Sequence, residues 1–341
     1  MFYRISCLIL AAAGFISQIP SPVAAADNAA PELKVVSTFK IGGAGRWDYP
    51  TVDPDGNRLY VTRGNHVSVI DTEKGTLVGD ITDVQGSHGT AIVRDKNLGF
   101  VTSGQENAVA VFDLETLKIK TKIKTAGGSS RNPDAILYDP ASKRVFAFCA
   151  GGDAVAVDPA NLDAPPVAVA CGGKLEFGQA DGAGHVFVNN EDKSEIDVID
   201  SKSLKVTDKW SIAPVTGPSG LAIDVAHHRL FSVGGNQKMA IVDYQAGKVL
   251  TTVAIGSGPD GCAFDPKLGV ALSANGRDGT VTVVGEKSAG EFSALQTLTA
   301  LRSGRTIADD PKTSRFFIPA TIPAEGGGTG EFGIVVVGAA K

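Results

Sequence analysis

The stretches RLYVTRGNHVSVID (58–71), LGFVTSGQENAVAVFD (98–113), RVFAFCAGGDAVAVD (144–158), HVFVNNEDKSEIDVID (185–200) and RLFSVGGNQKMAIVD (229–243) repeat one pattern. Each is an alternating apolar run, a polar turn containing Gly or Asn, a second alternating run and a closing Asp. Alternation with period two puts the apolar side chains on one face of a strand, and a short polar turn between two such runs makes a hairpin. Recurrence every 40 residues or so means that one supersecondary unit is stacked along the chain.

A second marker fixes the number of units. An Asp, often Asp-Pro, precedes each hairpin: Asp53-Pro54, Asp95, Asp139-Pro140, Asp181, Asp224, Asp265-Pro266 and Asp310-Pro311, at spacings between 41 and 46 residues. A carboxylate at the opening of a turn accepts hydrogen bonds from nearby backbone N–H groups. Each unit therefore reads as inner strand, Asp turn, second strand, polar loop, third strand, Asp turn and fourth strand. Six fourth strands are visible: TLVGDIT (76–82), LKIKTKIKT (117–125), PVAVA (166–170), KVTDKWSI (205–212), KVLTTVAI (248–255) and SALQTLTAL (293–301). The seventh unit runs out at IVVVGAAK, and ELKVVSTFKIGG (32–43) has the length and pattern to fill its place. The expected fold is all-β, a seven-bladed β-propeller of four-stranded blades in which the N-terminal strand closes the last blade. Closure removes an unpaired strand edge, which would otherwise invite aggregation.

With these repeats in view, the chain resembles the YVTN-repeat, YncE-like family of exported seven-bladed propellers. RLYVTRGNHVSVID is similar to that family's pairing of a Y-V-T-N-type strand with a V-S-V-I-D-type strand, with Thr62-Arg63-Gly64-Asn65 where the family often has Asn. Later copies, FAFCA and FSVGG, drift further. The resemblance covers residues 32–341 and is specific for the fold. One resembling branch is associated with single-stranded DNA binding, and similar propellers include lactone hydrolases.

The first residues, MFYRISCLILAAAGFISQIPSPVAAADN, read as a secretory signal peptide: Arg4, a short apolar run from Leu8 to Ile16, and the small residues Ala24-Ala25-Ala26. Cleavage after Ala26 gives a leader of 1–26, a tether of 27–31 and one propeller domain of 32–341, with a periplasmic or secreted location. The apolar run is too short to span a membrane comfortably, and Cys7 lies ahead of it rather than at a lipoprotein cleavage motif. The mature chain would hold 31 Lys+Arg against 37 Asp+Glu, net −6, a balance unsuited to bulk polyanion binding. Cys149, Cys171 and Cys262 survive processing; strand spacing keeps the first two too far apart for an unstrained bridge, and all three are expected free and buried. No Cys/His spacing suggests zinc. A monomer is expected, with no cofactor required.

In a propeller, the loops from each fourth strand to the next inner strand gather round the central channel at one face. Here they are GRWDYP (45–50), GSHGT (86–90), SSRNPDA (129–135), GGKLEFG (172–178), TGPSGLA (216–222), GSGPDGC (257–262) and RSGRTI (302–307). They carry Arg46, Trp47, Asp48, His88, Arg131, Asp134, Glu176, Ser219, Asp260 and Arg305 toward one mouth. Three arginines and four carboxylates exceed what turns need. They describe either a buried ion-pair plug or a pocket for a small polar or anionic ligand, with Arg for bidentate bonds and Trp47 as a flat surface.

His88, flanked by Gly86, Ser87 and Gly89, is the candidate base, with Asp48, Asp134 or Glu176 as partners. His66, in the outer loop of the preceding blade, is a weak candidate beside it for a metal. His185, His227 and His228 fall near the opposite face and read as structural or solvated. The Gly-rich runs at 42–45, 171–173 and 324–330 precede no helix, so no phosphate loop is implied. The loops NNEDKSE (189–195) and ANGRDGT (274–280) lack calcium-loop spacing, and Ser87 and Ser219 lack a nucleophile elbow. Three readings remain: a protein that binds a small ligand or a partner protein at the mouth; a lactonase-like hydrolase or lyase using His88 with Arg46, Arg131 or Arg305; and single-stranded nucleic-acid binding. The last is weakened by the acidic charge and the presence of only two Trp.

Overall fold

The alternating runs pair as the repeat predicts. In a computed structural model of the protein, seven four-stranded antiparallel sheets succeed one another along the chain. The structure describes residues 32–43, 45–288, 290–324, 326 and 330–339. The leader and tether, and most of the loop 324–330, lie outside the described residues.

Blade I comprises Pro50–Asp53, Arg58–Thr62, Val67–Asp71 and Leu77–Ile81, from the axis outward. The inner strands of blades II to VI are Ser87–Val93, Pro133–Asp139, Leu175–Ala180, Pro218–Asp224 and Pro259–Asp265. Blade VII joins the two ends of the chain: Ala308–Asp310, Arg315–Ile322 and Glu331–Ala339 are followed by Leu33–Lys40 as the outermost strand. The closing register runs from Leu33↔Ala339 to Lys40↔Gly333. Gln296 of blade VI clasps this strand, donating to the Leu33 carbonyl at 2.6 Å and accepting from its N–H at 3.0 Å.

Second and third strands are apolar on both faces because a neighbouring blade covers each face. The buried side chains fall into seven clusters, each spanning one junction between blades. Tyr60, Val67, Val101 and Phe112 fill the junction of blades I and II, and Phe39, Leu59, Phe317 and Phe332 that of VII and I. Cys149, Cys171 and Cys262 are free and buried, as expected.

The Asp turns work as the sequence suggests. Asp265 accepts from the N–H groups of Lys267 and Leu268, both at 2.8 Å, and Asp71 from those of Glu73 and Lys74. Blade II differs. It has Val93 at the register position where the other blades carry Asp at or directly after the end of the inner strand, and Asp95 sits two residues further on, in a 3-10 turn (Arg94–Lys96). Arg94 from that turn ion-pairs with Asp53 of blade I, its Nε 3.0 Å from Oδ1.

Around the axis the inner strands are crowded. Gly89, Gly220 and Gly261 share one register position, and a Cβ there would meet the next inner strand's backbone at 3.2, 2.6 and 2.8 Å. Gly220→Ala is therefore expected to lower stability by about 1–3 kcal/mol through overpacking, read from the urea unfolding midpoint. Deleting residues 32–41 exposes the Glu331–Ala339 edge. It should abolish the soluble monomer on size-exclusion chromatography, and an unchanged melting curve would refute the closing role of this strand.

Candidate functional site

Five residues before the position where each inner strand meets its turn, the seven blades carry Asp48, His88, Asp134, Glu176, Ser219, Asp260 and Arg305. A β-bulge recurs at this place: the register slips between Ser87 and Thr90, Pro133 and Ile136, Leu175 and Gly178, Pro218 and Leu221, and Pro259 and Gly261. Bulges re-aim a side chain out of the regular pleat. In blades II to VI they turn one residue per blade toward the channel mouth, and in blades I and VII the loop ahead of the inner strand places the equivalent residue.

The ring is tied together by its own contacts. His88 Nδ1 lies 2.7 Å from Asp48 Oδ2 and 3.6 Å from Asp134 Oδ1. Arg305 Nη1 lies 3.1 Å from Asp260 Oδ2, while its Nη2 lies 3.4 Å from Asp48 Oδ1 and donates to the Trp47 carbonyl. Lys174 Nζ lies 2.7 Å from Glu176 Oε1 and also pairs with Glu191. From blade I, Tyr49 reaches across the channel and donates its hydroxyl hydrogen to Glu176 Oε2 at 3.1 Å, its ring packed on Phe177 with centroids 4.9 Å apart. Tyr49 and Phe177 plug the channel beneath the ring.

Four carboxylates thus face two fixed cations, Arg305 and Lys174, and one imidazole. Burial pushes Asp260 up to about 7, the Arg305 charge opposing and Asp48 and Asp134 adding. Burial likewise raises Asp134 against the pull of His88, and raises Glu176 against the pull of Lys174. For His88 burial favours the neutral ring, but the Asp48 hydrogen bond and the charges of Asp134 and Asp48 outweigh it and raise the imidazole pKa above its ordinary value. Burial and the surrounding carboxylates keep the Tyr49 phenol protonated, as its donor role requires.

The structure sorts the residues singled out in the sequence. Asp48, His88, Asp134, Glu176, Asp260 and Arg305 converge. Ser219 holds the equivalent place in blade V, but its buried hydroxyl donates to the Pro259 carbonyl at 3.4 Å. The expectation of three arginines in one concavity is corrected to one. Arg131 is exposed and donates to the Gly128 carbonyl at 3.2 Å. Arg46 is exposed, its carbonyl accepting from Arg63 Nε at 3.1 Å, and reaches the ring only as a charge that disfavours protonated His88. Trp47 packs its ring on Phe332, 5.8 Å between centroids, rather than lying free as a stacking surface.

His66 is also corrected as a metal candidate. Its Nδ1 lies 2.8 Å from Asn65 Oδ1 and its Nε2 3.8 Å from Asp80, outside the ring. A different trio can hold a metal: donor atoms of Asp48, His88 and Asp134 all lie within 4.8 Å of one another, the one such group among the described residues. At the opposite face, His185 and His227 bond their turn carboxylates, Asp181 and Asp224. Tyr49 and Lys174 were missed in the sequence. Tyr49 stands next to Asp48, and Lys174 two residues before Glu176, an offset that brings both side chains to one side of an extended chain.

No family model matches the chain, and no curated protein matches it in sequence. Among solved structures, a chain of Kuenenia stuttgartiensis hydrazine synthase is similar in fold. It has a TM-score of 0.67 and 14% sequence identity, over 84% of this chain and 95% of that one. At that identity the likeness speaks for the propeller alone.

The charge excess sets a pH dependence. An acid whose pKa is raised on folding gives stability that is full below its unfolded value and lost as pH rises through its folded value. For Asp260 that window runs from 3.8 to about 7. Asp134, Glu176 and His88 act in the same direction, with Arg305 and Lys174 moderating them. The metal-free protein should melt at a lower temperature at pH 8 than at pH 5.5, and Asp260→Asn should flatten the slope. A profile that is level or rises with pH in the parent protein would contradict this account.

Proposed function

We propose that the protein is an exported binding propeller that captures a small cation at the channel mouth, with Asp48, His88 and Asp134 as the ligands of a divalent metal ion. The carrying observation is the charge of the ring: one side chain per blade, four carboxylates, and fixed cations enough for two of them. This turns the expected ligand from anion to cation, because Arg131 and Arg46 stand outside the ring. Two carboxylates and an imidazole are a donor set for a first-row divalent ion, and the spread of the trio allows closure to metal–ligand distances of about 2.0–2.2 Å by small side-chain rotations. The export signal read in the sequence, the expected monomer and the YVTN-repeat resemblance support the reading of an extracytoplasmic binding protein.

The hydrolytic alternative finds less support. The neighbouring Ser87 hydroxyl donates to the His66 carbonyl and is not presented to His88 as a nucleophile. A net-negative mouth likewise disfavours a nucleic-acid backbone.

Titration calorimetry of the chelator-treated mature protein with Mn²⁺, Zn²⁺ and Ca²⁺ tests the proposal. One ion should bind per monomer, and Asp134→Asn or His88→Ala should weaken it by about 10–100-fold. Arg131→Ala should leave it unchanged. No binding of any of the three ions, or equal binding by the Asp134→Asn variant, would remove the metal reading.

A further inference from the structure

Below the Tyr49–Phe177 plug lies a second chamber, reached from the face of the turns that follow the inner strands. Its volume is about 460 Å³, within the range of small-molecule pockets, and none of the seven ring residues lines it. Every inner strand is the first of its sheet, so its free edge turns N–H and C=O groups toward the axis. At the register position just before the turns, the side chains lining the chamber are Val52, Ile92, Tyr138, Ile223, Phe264 and Asp309. At this position the chamber presents apolar side chains broken by a single carboxylate, while the Thr51 hydroxyl and Gln179 amide, which also line it, are spent on the Thr90 and Leu221 carbonyls.

That carboxylate has no counter-charge. Among the described residues, the donor at Asp309 is its own backbone N–H, and the charges acting on it are Asp265 and Asp310, both of like sign. Those two neighbours are engaged by turn N–H groups. The two lysines of the adjacent turns are committed elsewhere: Lys267 Nζ donates to the Lys312 carbonyl at 2.7 Å, and Lys312 Nζ to the Pro54 carbonyl and Asp55. A half-buried carboxylate without a partner is costly. A cation carried on an apolar body would satisfy both the charge and the surrounding side chains.

The geometry points to a second binding site in this chamber, one that takes a monocationic amine with an apolar body, its ammonium on Asp309 and its hydrocarbon against Val52, Ile92, Tyr138, Ile223 and Phe264. Carbonyls on the free strand edges can accept the remaining ammonium hydrogens. The inference stands apart from the metal reading, since the plug separates the two sites and they share no residue.

Matched probes test it. Benzylamine and benzyl alcohol have nearly the same shape, and at pH 8 the amine is protonated and Asp309 predominantly ionised. Calorimetry on the mature protein should show the amine binding about tenfold or more tightly than the alcohol, as a charge-assisted hydrogen bond provides. Asp309→Asn should bring the amine down to the level of the alcohol without lowering the melting temperature. Ala308→Phe, which fills the chamber, should abolish binding of both. Asp134→Asn, at the other face, should leave the preference intact. Equal affinities in the parent protein, no binding of either probe, a preference that survives Asp309→Asn, binding that survives Ala308→Phe, or a preference lost in Asp134→Asn would each overturn the proposal.

Discussion

Seven strand edges must meet around one axis, and most of what is distinctive in this protein follows from that crowding. Where the inner strands approach most closely, three blades carry glycine because a Cβ would strike the next strand's backbone. One step earlier the strands bulge, which relieves the crowding and turns a side chain inward. Seven side chains, five of them from bulged strands, form a ring, and a ring that small forces its charges into each other's fields. The raised pKa values of the carboxylates and of His88 result from this convergence.

The two ends of the channel illustrate how little sequence separates opposite chemistries. Asp260 and Phe264 lie four residues apart on one strand, and Arg305 lies four residues before Asp309, in the loop that leads into its strand. Yet Asp260 and Arg305 belong to a paired charged ring, and Phe264 and Asp309 to an apolar one. Tyr49 divides the two. Its hydroxyl is spent on Glu176 and its ring on Phe177, so the plug is held by a polar bond on one side and aromatic packing on the other.

The architecture was open to reading in the sequence because its determinants are local and repeated. The alternation in RLYVTRGNHVSVID and its copies, the Asp turns, and the missing fourth strand supplied by residues 32–43 each reappear in the structure. The site was half legible. Counting back five residues from Asp53, Asp139, Asp181, Asp224, Asp265 and Asp310 reaches the ring residue of six blades. In blade II the marker is Asp95 rather than residue 93, so the same count lands on Thr90 instead of His88. Nor does loop position tell whether an arginine turns in or out: Arg131 and Arg305 both sit in loops before inner strands, and only Arg305 finds carboxylates. The Tyr49–Glu176 bond joins blades I and IV, and no pattern within one repeat could reveal it.

The seventh sheet has a consequence in time as well as in space. Leu33 pairs with Ala339, some three hundred residues away along the chain, so the last sheet cannot form until nearly the whole polypeptide has been made. Such a long-range pairing carries a large loop-closure entropy and belongs to the slow end of folding. Six blades can assemble in order as the chain lengthens, but the ring stays open throughout, with the inner strands free to splay and the mouth charges apart. The charged ring is therefore completed in the final step of folding, and a chain interrupted before Glu331 would hold most of the sheets and none of the finished mouth.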